Sequence, residues 1–230
     1  MLEPADTLAV RWAAVRERVD AACRAAGRDP AGVAVLPVSK TFGPEAVRAA
    51  AALGLSRFGE NKVQELREKS VVLADLPLAW VLIGHLQTNK AKDVARLASE
   101  VQSLDRLELA EALHRRLEIE GRTLEVLVQV KTSPEESKHG LAPDALPALL
   151  ERLRDYPTLR VRGLMTLAVQ SDDPAAVRAC FRQLRELRDA AAARGHELPC
   201  LSMGMSGDFP LAVAEGATEV RIGTAIFGRR

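Results

Sequence analysis

Apolar residues along the chain fall into two kinds of pattern, short continuous runs and longer stretches with helical spacing. The first helical stretch lies near the N-terminus and ends before Gly27, and its apolar residues recur at intervals of three and four. These residues are Leu8, Trp12, Val15, Val19, Ala22 and Ala26. The pattern predicts an N-terminal helix that precedes the rest of the fold.

Eight short apolar or β-branched runs follow, and each is succeeded by a helical stretch. We predict strands over 33–38, 56–59, 80–83, 101–104, 124–130, 161–165, 201–203 and 219–222. Strands that alternate with helices indicate a parallel sheet, and eight such units in about 230 residues favour a closed (β/α)₈ barrel over an open doubly wound sheet. No linker or low-complexity tract interrupts this order, so we expect residues 1–230 to form a single domain.

Several residues mark where the helices begin and end. Asp173 before Pro174 is typical of a helix start, and Gly121 of a helix end. Thr88 can cap the helix after the third strand. Asp105, with Glu108 three residues later, resembles a capping box for the next helix.

Composition excludes several classes of protein. The 32 Lys and Arg residues balance 31 Asp and Glu residues, and no basic cluster offers nucleic acid a binding surface. No apolar run is long enough to span a membrane, and the first residues lack the pattern of a secretory signal. The three cysteines are scattered, which favours a reducing cytoplasm over disulfides or a zinc site.

Lysine is scarce, since only 7 of the 32 basic residues are lysines. An amine can form a Schiff base with a carbonyl compound, whereas a guanidinium cannot. Lys40 directly follows the first apolar strand, where a barrel places its active face. It is either an amine held between apolar walls that lower its pKa, or a solvated lysine in a loop.

Residues 202–228 contain a candidate phosphate site. Ser206 and Gly207 precede a helix, and Gly223 and Thr224 follow the last strand. Barrels often bind phosphate with the loops after strands seven and eight, although these glycines can also serve only as turns. Side chains alternate between the two faces of a strand, so Arg221 and its neighbours point to opposite faces. An arginine that points into the barrel needs an acceptor, either a ligand nitrogen or an internal carboxylate.

Other polar residues give weaker signals. Asn61 follows the second strand and either lies at the end of the barrel where the strands finish or caps a helix. Met165 ends the sixth strand and either packs in the hydrophobic core or contacts a flat ligand. We interpret His85 as a structural residue, and Lys138 as either a second docking point or a surface charge. The four histidines lack the spacing of a metal site.

Six motifs, spread over essentially the whole chain, carry a resemblance to a known family. They are VSKTFGPEAVRAAAALG, FGENKVQE, IGHLQTNK, EESKHG, GLMT and SMGMSGDFPLAVAEGATEVRIGTAIFG. In these motifs the sequence resembles the YggS/PROSC family, the pyridoxal phosphate homeostasis proteins. The resemblance implies a barrel like the N-terminal domain of alanine racemase (fold type III of the pyridoxal phosphate proteins).

The same resemblance implies roles for individual residues. Lys40 would form the internal aldimine with pyridoxal 5′-phosphate (PLP), and Arg221 would face the pyridine nitrogen. Asn61 and Met165 would line the cofactor. The residues implied to hold its phosphate are Ser206, Gly207, Gly223 and Thr224.

These contacts lead us to expect a carrier of PLP that catalyses no reaction. An arginine beside the pyridine nitrogen disfavours its protonation and weakens the ring as an electron sink. Racemases of this fold use a second base, a tyrosine from an additional β domain. This chain has one tyrosine, Tyr156, and we expect no second domain.

We therefore expect a cytoplasmic monomer that buffers or delivers PLP. Its expected partners are PLP itself, amino acids and apo forms of PLP-dependent enzymes. Two alternatives stay open: a weak amino-acid racemase or other PLP enzyme, and an aldolase-like barrel that uses Lys40 on a phosphorylated sugar.

Overall fold

Eight parallel strands form a nearly closed barrel in the computed structural model, which describes residues 7–135 and 138–228. The strand order is β1-β8-β7-β6-β5-β4-β3-β2, and a parallel bridge between Val38 and Gly59 joins β1 to β2. The strands are β1 (Ala34–Pro37), β2 (Arg57–Glu60), β3 (Ala79–Leu82), β4 (Glu100–Leu104), β5 (Leu124–Gln129), β6 (Leu159–Met165), β7 (Cys200–Ser202) and β8 (Glu219–Ile222). The predicted (β/α)₈ architecture is thus confirmed.

Each strand is followed by a helix, and one further helix precedes β1. In the described part of the chain the helices are α1 (Leu8–Ala25), α2 (Pro44–Ala51), α3 (Val63–Val72), α4 (Ala91–Leu97), α5 (Leu107–Glu120), α6 (Leu146–Leu153), α7 (Pro174–Ala192), α8 (Phe209–Ala214) and α9 (Thr224–Phe227). The predicted N-terminal helix is α1, which buries Val15, Val19 and Cys23 and packs against α8 and α9.

The eight predicted strands are all present, with shifts at their ends. β1 is shorter than predicted, because Val38 forms only the isolated bridge to Gly59. β6 begins two residues earlier than predicted, since Leu159 pairs with Leu124 at the start of β5. The single domain over 1–230 stays a prediction.

The predicted helix signals have mixed outcomes. Asp173 caps α7, where its Oδ1 accepts from the N–H of Ala175 at 2.9 Å, and Gly121 ends α5 in the left-handed conformation. The capping box is wrong: Asp105 instead accepts from Arg106 at 2.5 Å, and α5 begins without a side-chain cap. Thr88 is not a cap either, because it opens a 3₁₀ turn that leads into α4.

Side chains from non-neighbouring strands meet across the barrel interior. Arg57 of β2 binds Glu100 of β4 and Glu219 of β8, although neither strand lies beside β2. Alternation along β8 then places Arg221 inside as well, while Val220 and Ile222 face the helices. The carboxyl ends of all eight strands open at one end of the barrel, which we call the mouth.

Within 7–135 and 138–228, no helix combines the length and the apolar character that crossing a membrane requires.

Candidate functional site

A polar network lies across the amino-terminal part of the barrel interior. Arg57 contacts both Glu100, at 2.5 Å, and Glu219. The Gln102 amide donates to the same two carboxylates, at 2.7 and 2.5 Å. Burial raises the pKa of Glu100; burial alone would lower the pKa of Arg57, but the two carboxylates outweigh it and raise that pKa. We call Arg57, Glu100, Gln102 and Glu219 the floor network.

Arg221 lies above the floor network and is buried, with 4% of its surface exposed. Its guanidinium donates to the Ser202 carbonyl and hydroxyl, both at 2.7 Å, and to the Thr166 carbonyl at 2.7 Å. Glu219 is reached only through the Ser202 hydroxyl, at 2.9 Å. Of the two acceptors left open by the sequence, the internal carboxylate is therefore indirect. Burial lowers the pKa of Arg221 because only neutral groups accept directly from it.

Lys40 lies three residues beyond the end of β1, in a turn at the mouth. The N–H of Phe42 donates to the Ser39 carbonyl at 3.1 Å and closes this turn around Lys40. The Lys40 side chain is exposed, as in the alternative of a solvated lysine in a loop, and apolar walls do not enclose it. The residue is accessible to a ligand that enters the mouth.

The loops after β7 and β8 lie beside this turn, because β7, β8 and β1 are consecutive in the barrel. Within the described residues, no acceptor takes a hydrogen bond from the backbone N–H groups of Ser206, Gly207, Gly223 or Thr224. A Cβ at Gly207 would meet no atom within 4 Å, whereas one at Gly223 would lie 3.2 Å from the Val38 carbonyl. These loops therefore leave both donors and space for an anion.

The other two predicted ligand residues lie on either side of this arrangement. Asn61 is exposed just beyond β2, and its carbonyl oxygen lies 2.0 Å from the position that a Cβ would take at Gly84. Met165 is buried at the end of β6, in register with Ser202. The structure thus brings Lys40 and the two loops together at neighbouring strand ends, with Met165 deeper and Asn61 on the β2 side.

Sequence reasoning missed a buried group of side chains behind Lys40. Lys69 of α3 donates to Glu60 at 2.7 Å and to the Ser39 carbonyl at 2.8 Å. Glu60 is fully buried, burial raises its pKa, and its Oε2 has no partner within the described residues. The available signal was the charged Glu60 directly after the apolar pair Phe58–Gly59 of β2.

Two further residues that the sequence singled out have contacts within the protein. His85 stacks on His139, with ring centroids 4.1 Å apart, and its Nδ1 lies 3.6 Å from Asp105 Oδ2, in accord with the structural role that we predicted. Lys138 pairs with Glu135 and donates to the carbonyl of Ala168. No group of three or more His, Cys, Asp or Glu side chains in the described ranges is arranged to hold a metal ion.

The mouth combines three chemical features that suit one kind of ligand. An amine is accessible at Lys40, unpaired N–H donors can hold a phosphate, and a buried guanidinium with only neutral direct acceptors can face a basic nitrogen. These residues fit PLP, which carries an aldehyde, a phosphate and a pyridine nitrogen.

Comparison with known proteins supports the same assignment. Residues 10–230 match the family model of the alanine racemase N-terminal domain. The pyridoxal phosphate homeostasis protein of Pseudomonas aeruginosa is 47% identical over 224 residues, which cover 97% of this chain and 96% of that protein. The protein of the same name from Escherichia coli K12 is 38% identical, with 97% of each chain covered.

Solved structures agree. The structure of PipY from Synechococcus elongatus with PLP bound has a TM-score of 0.84 and 39% identity, and the match covers 96% of this chain and all of that one. An alanine racemase from Clostridium difficile, at 14% identity and a TM-score of 0.74, shares the fold over 98% of this chain and 57% of its own. The chain therefore belongs to the alanine racemase N-terminal domain family and, within it, to the YggS/PROSC family of pyridoxal phosphate homeostasis proteins.

Proposed function

We propose that this protein binds PLP covalently and reversibly through Lys40 and buffers or delivers it in the cytoplasm, without catalysing a reaction of its own. The observation that carries the proposal is the meeting of an exposed amine and two donor-rich loops at the ends of β7, β8 and β1. PLP is bound in the structure of the relative PipY, and the curated relatives are named for PLP homeostasis.

The predicted ligand residues at the mouth bind two different groups of the cofactor, its phosphate and its aldehyde. Ser206, Gly207, Gly223 and Thr224 hold the phosphate through backbone N–H groups and hydroxyls. When bound, the cofactor supplies an aldehyde that condenses with a primary amine. Lys40 would supply that amine, whose lone pair would attack the aldehyde carbon, and the carbonyl oxygen would leave as water.

The remaining residues orient the ring. Arg221 faces the pyridine nitrogen, and its fixed positive charge keeps a proton off that nitrogen. Met165 and Asn61 line the two sides of the cofactor. By keeping that proton off, Arg221 would weaken the ring as an electron sink and would disfavour carbanion chemistry on a bound amino acid.

The position of Tyr156 favours a carrier over a two-base racemase. It precedes β6, at the opposite end of the barrel from Lys40, which follows β1. Its hydroxyl lies 3.3 Å from Glu111 Oε1, and burial raises its pKa. Tyr156 is thus remote from Lys40 and cannot serve as the second base.

Exposure of Lys40 suits a protein that exchanges its cargo. Free amines, including amino acids, can reach the linkage through the mouth, and apo forms of PLP-dependent enzymes are the recipients that we propose. We further propose that the protein acts as a monomer.

The proposal is tested by titrating the purified protein with PLP and recording the visible absorption. The parent should develop the band of a protonated Schiff base, and Lys40→Ala should not. Lys62→Ala, which removes another exposed lysine near the end of β2, should behave like the parent. A parent that stays colourless would contradict the proposal and favour the phosphorylated-sugar barrel.

A further inference from the structure

The turn that carries Lys40 contains a strained residue. The hydrogen bond from Phe42 to Ser39 places Lys40 and Thr41 at the centre of a four-residue turn. Thr41 has φ 68°, a value that type II turns require at this position and that glycine normally supplies. Because threonine is β-branched, this conformation persists only where the surroundings hold it in place.

Glu65 of α3 supports the turn on the C-terminal side of Lys40. Its Oε2 accepts from the backbone N–H of Thr41 at 2.5 Å. An ionised acceptor makes this hydrogen bond stronger than one between neutral groups. The peptide between Lys40 and Thr41 therefore cannot flip, which would bring Thr41 to a negative φ, without losing the bond to Glu65.

Lys69, one helical turn after Glu65, binds the turn on the N-terminal side of Lys40. Its Nζ donates to the Ser39 carbonyl at 2.8 Å, and its side chain is only 6% exposed. Glu60 fixes Lys69 at 2.7 Å and accepts from the Ser39 hydroxyl at 2.5 Å. A buried ion pair contributes little net stability because both charges lose their hydration, so its fixed geometry is the feature that needs a function.

We propose that Glu65 and Lys69 are positioning residues that hold the Lys40 amine in the orientation from which it attacks an aldehyde. They bind the two peptide groups that flank Lys40: Glu65 accepts from the Thr41 N–H, and Lys69 donates to the Ser39 carbonyl. This inference rests on the proposed function above. A turn that is ordered in advance spares the amine the entropy cost of ordering when the bond forms.

The bond in question joins Lys40 Nζ to the aldehyde carbon of PLP. Counted from the neutral amine, the carbonyl oxygen leaves as water with both amine protons, and the new nitrogen takes one proton from solvent to give the protonated Schiff base. The step needs no oxidant and no further reactant. Glu65 and Lys69 contact neither the aldehyde nor the water in this account. Their effect is confined to where the amine points.

Three variants of α3 test the role of Glu65. Glu65→Ala removes the acceptor, Glu65→Gln keeps an oxygen that can still accept, and Glu68→Ala removes an exposed carboxylate from the same helix. In the protein without PLP, hydrogen–deuterium exchange of residues 39–42 should speed up in Glu65→Ala. It should stay at the parent rate in Glu68→Ala and lie between the rates of the parent and Glu65→Ala in Glu65→Gln, because a neutral amide oxygen accepts more weakly than a carboxylate and no longer pairs with Lys69 at 3.8 Å.

Binding measurements separate positioning from general damage. The affinity for PLP should fall about tenfold in Glu65→Ala, the loss expected for one hydrogen bond to a charged group. The affinity for pyridoxamine 5′-phosphate, which has an amine in place of the aldehyde, should be unchanged. Unaltered PLP affinity in Glu65→Ala, or an equal loss for both compounds, would overturn the inference.

A double-mutant cycle with Thr41 gives a second test, and it leaves the buried pair of Glu60 and Lys69 unchanged. Glycine adopts φ 68° without strain, so Glu65→Ala should cost less PLP affinity in a Thr41→Gly background than in the parent. Equal costs in the two backgrounds would contradict the inference. If the parent binds no PLP, the proposed function fails, whereas the exchange rates still decide whether Glu65 holds the turn.

Discussion

The floor network and the mouth differ in whether their hydrogen-bond donors have acceptors within the protein. Arg57 lies between two carboxylates, and Gln102 donates to both of them, so the floor satisfies its own donors. At the mouth, the N–H groups of Ser206 and Gly207 meet no acceptor in the described part of the chain. The difference shows which polar groups stabilise the barrel and which remain available to a ligand.

The largest expected effect is on the floor. Glu219→Ala removes a carboxylate from Arg57 and an acceptor from Gln102 and Ser202, and it should lower the free energy of unfolding by about 4 kcal/mol. Urea denaturation measures this loss. Glu125→Gln, in an exposed pair with Arg162, is the matched control and should change stability by no more than about 0.5 kcal/mol. Similar values for the two variants would contradict the stabilising role of the floor.

Two glycines sharpen the same contrast. A Cβ at Gly163 in β6 would lie 1.9 Å from the Cys200 carbonyl oxygen, so Gly163→Ala should cost about 3 kcal/mol of stability. Gly207→Ala meets open space and should cost less than about 0.5 kcal/mol. The new methyl group at residue 207 should nevertheless weaken PLP binding, which equilibrium dialysis measures. The reverse order of thermal stability would refute this assignment.

The phosphate loops should affect binding without affecting folding. Ser206→Ala combined with Thr224→Ala removes two hydroxyls and should reduce PLP affinity roughly tenfold to a hundredfold, or about 2 kcal/mol. Its thermal unfolding should match that of the parent, since neither side chain is deeply buried. Unchanged retention of PLP in this double variant would rule out the phosphate site.

The smallest expected effect is a change in how stability depends on pH. Burial raises the pKa of Glu100 above its ordinary value of 4.5, so the folded state binds that proton more tightly than the unfolded state does. The stability linked to this shift is present at pH values below 4.5 and is lost as the pH rises through the raised pKa.

Comparison with Glu100→Gln isolates this contribution. As the pH rises from 4 towards neutrality, the free energy of unfolding of the parent should fall relative to that of Glu100→Gln. Thr224→Ala, at the mouth, should follow the parent at every pH. Parallel curves for the parent and Glu100→Gln would show that Glu100 has no raised pKa.

The sequence predicts most of the fold because the strands are marked by local patterns. The apolar run at 124–130 is β5 with one residue removed, and Gly121 adopts the left-handed conformation expected after a helix. Local signals fail where a distant partner competes for the side chain. Asp105 binds Arg106 and lies near His85, so it does not cap α5.

The interior polar groups are harder to predict because their partners are distant in the chain. Arg57 and Glu219 are 162 residues apart, and only barrel closure brings them together. Alternation in β8 gives part of the answer, since it turns both Glu219 and Arg221 inward. Lys69 gives no such signal, because its burial depends on Ser39 and Glu60 from two different strand ends.

The most direct test of the central claim is to load the protein with PLP, reduce it with borohydride and map the modified peptide by mass spectrometry. Reduction converts a carbon–nitrogen double bond into a stable amine, so it records which of the 7 lysines carried the cofactor. We predict modification at Lys40, and its loss in Ser206→Ala with Thr224→Ala at limiting PLP. Modification spread over the exposed lysines, or absent from Lys40, would contradict it.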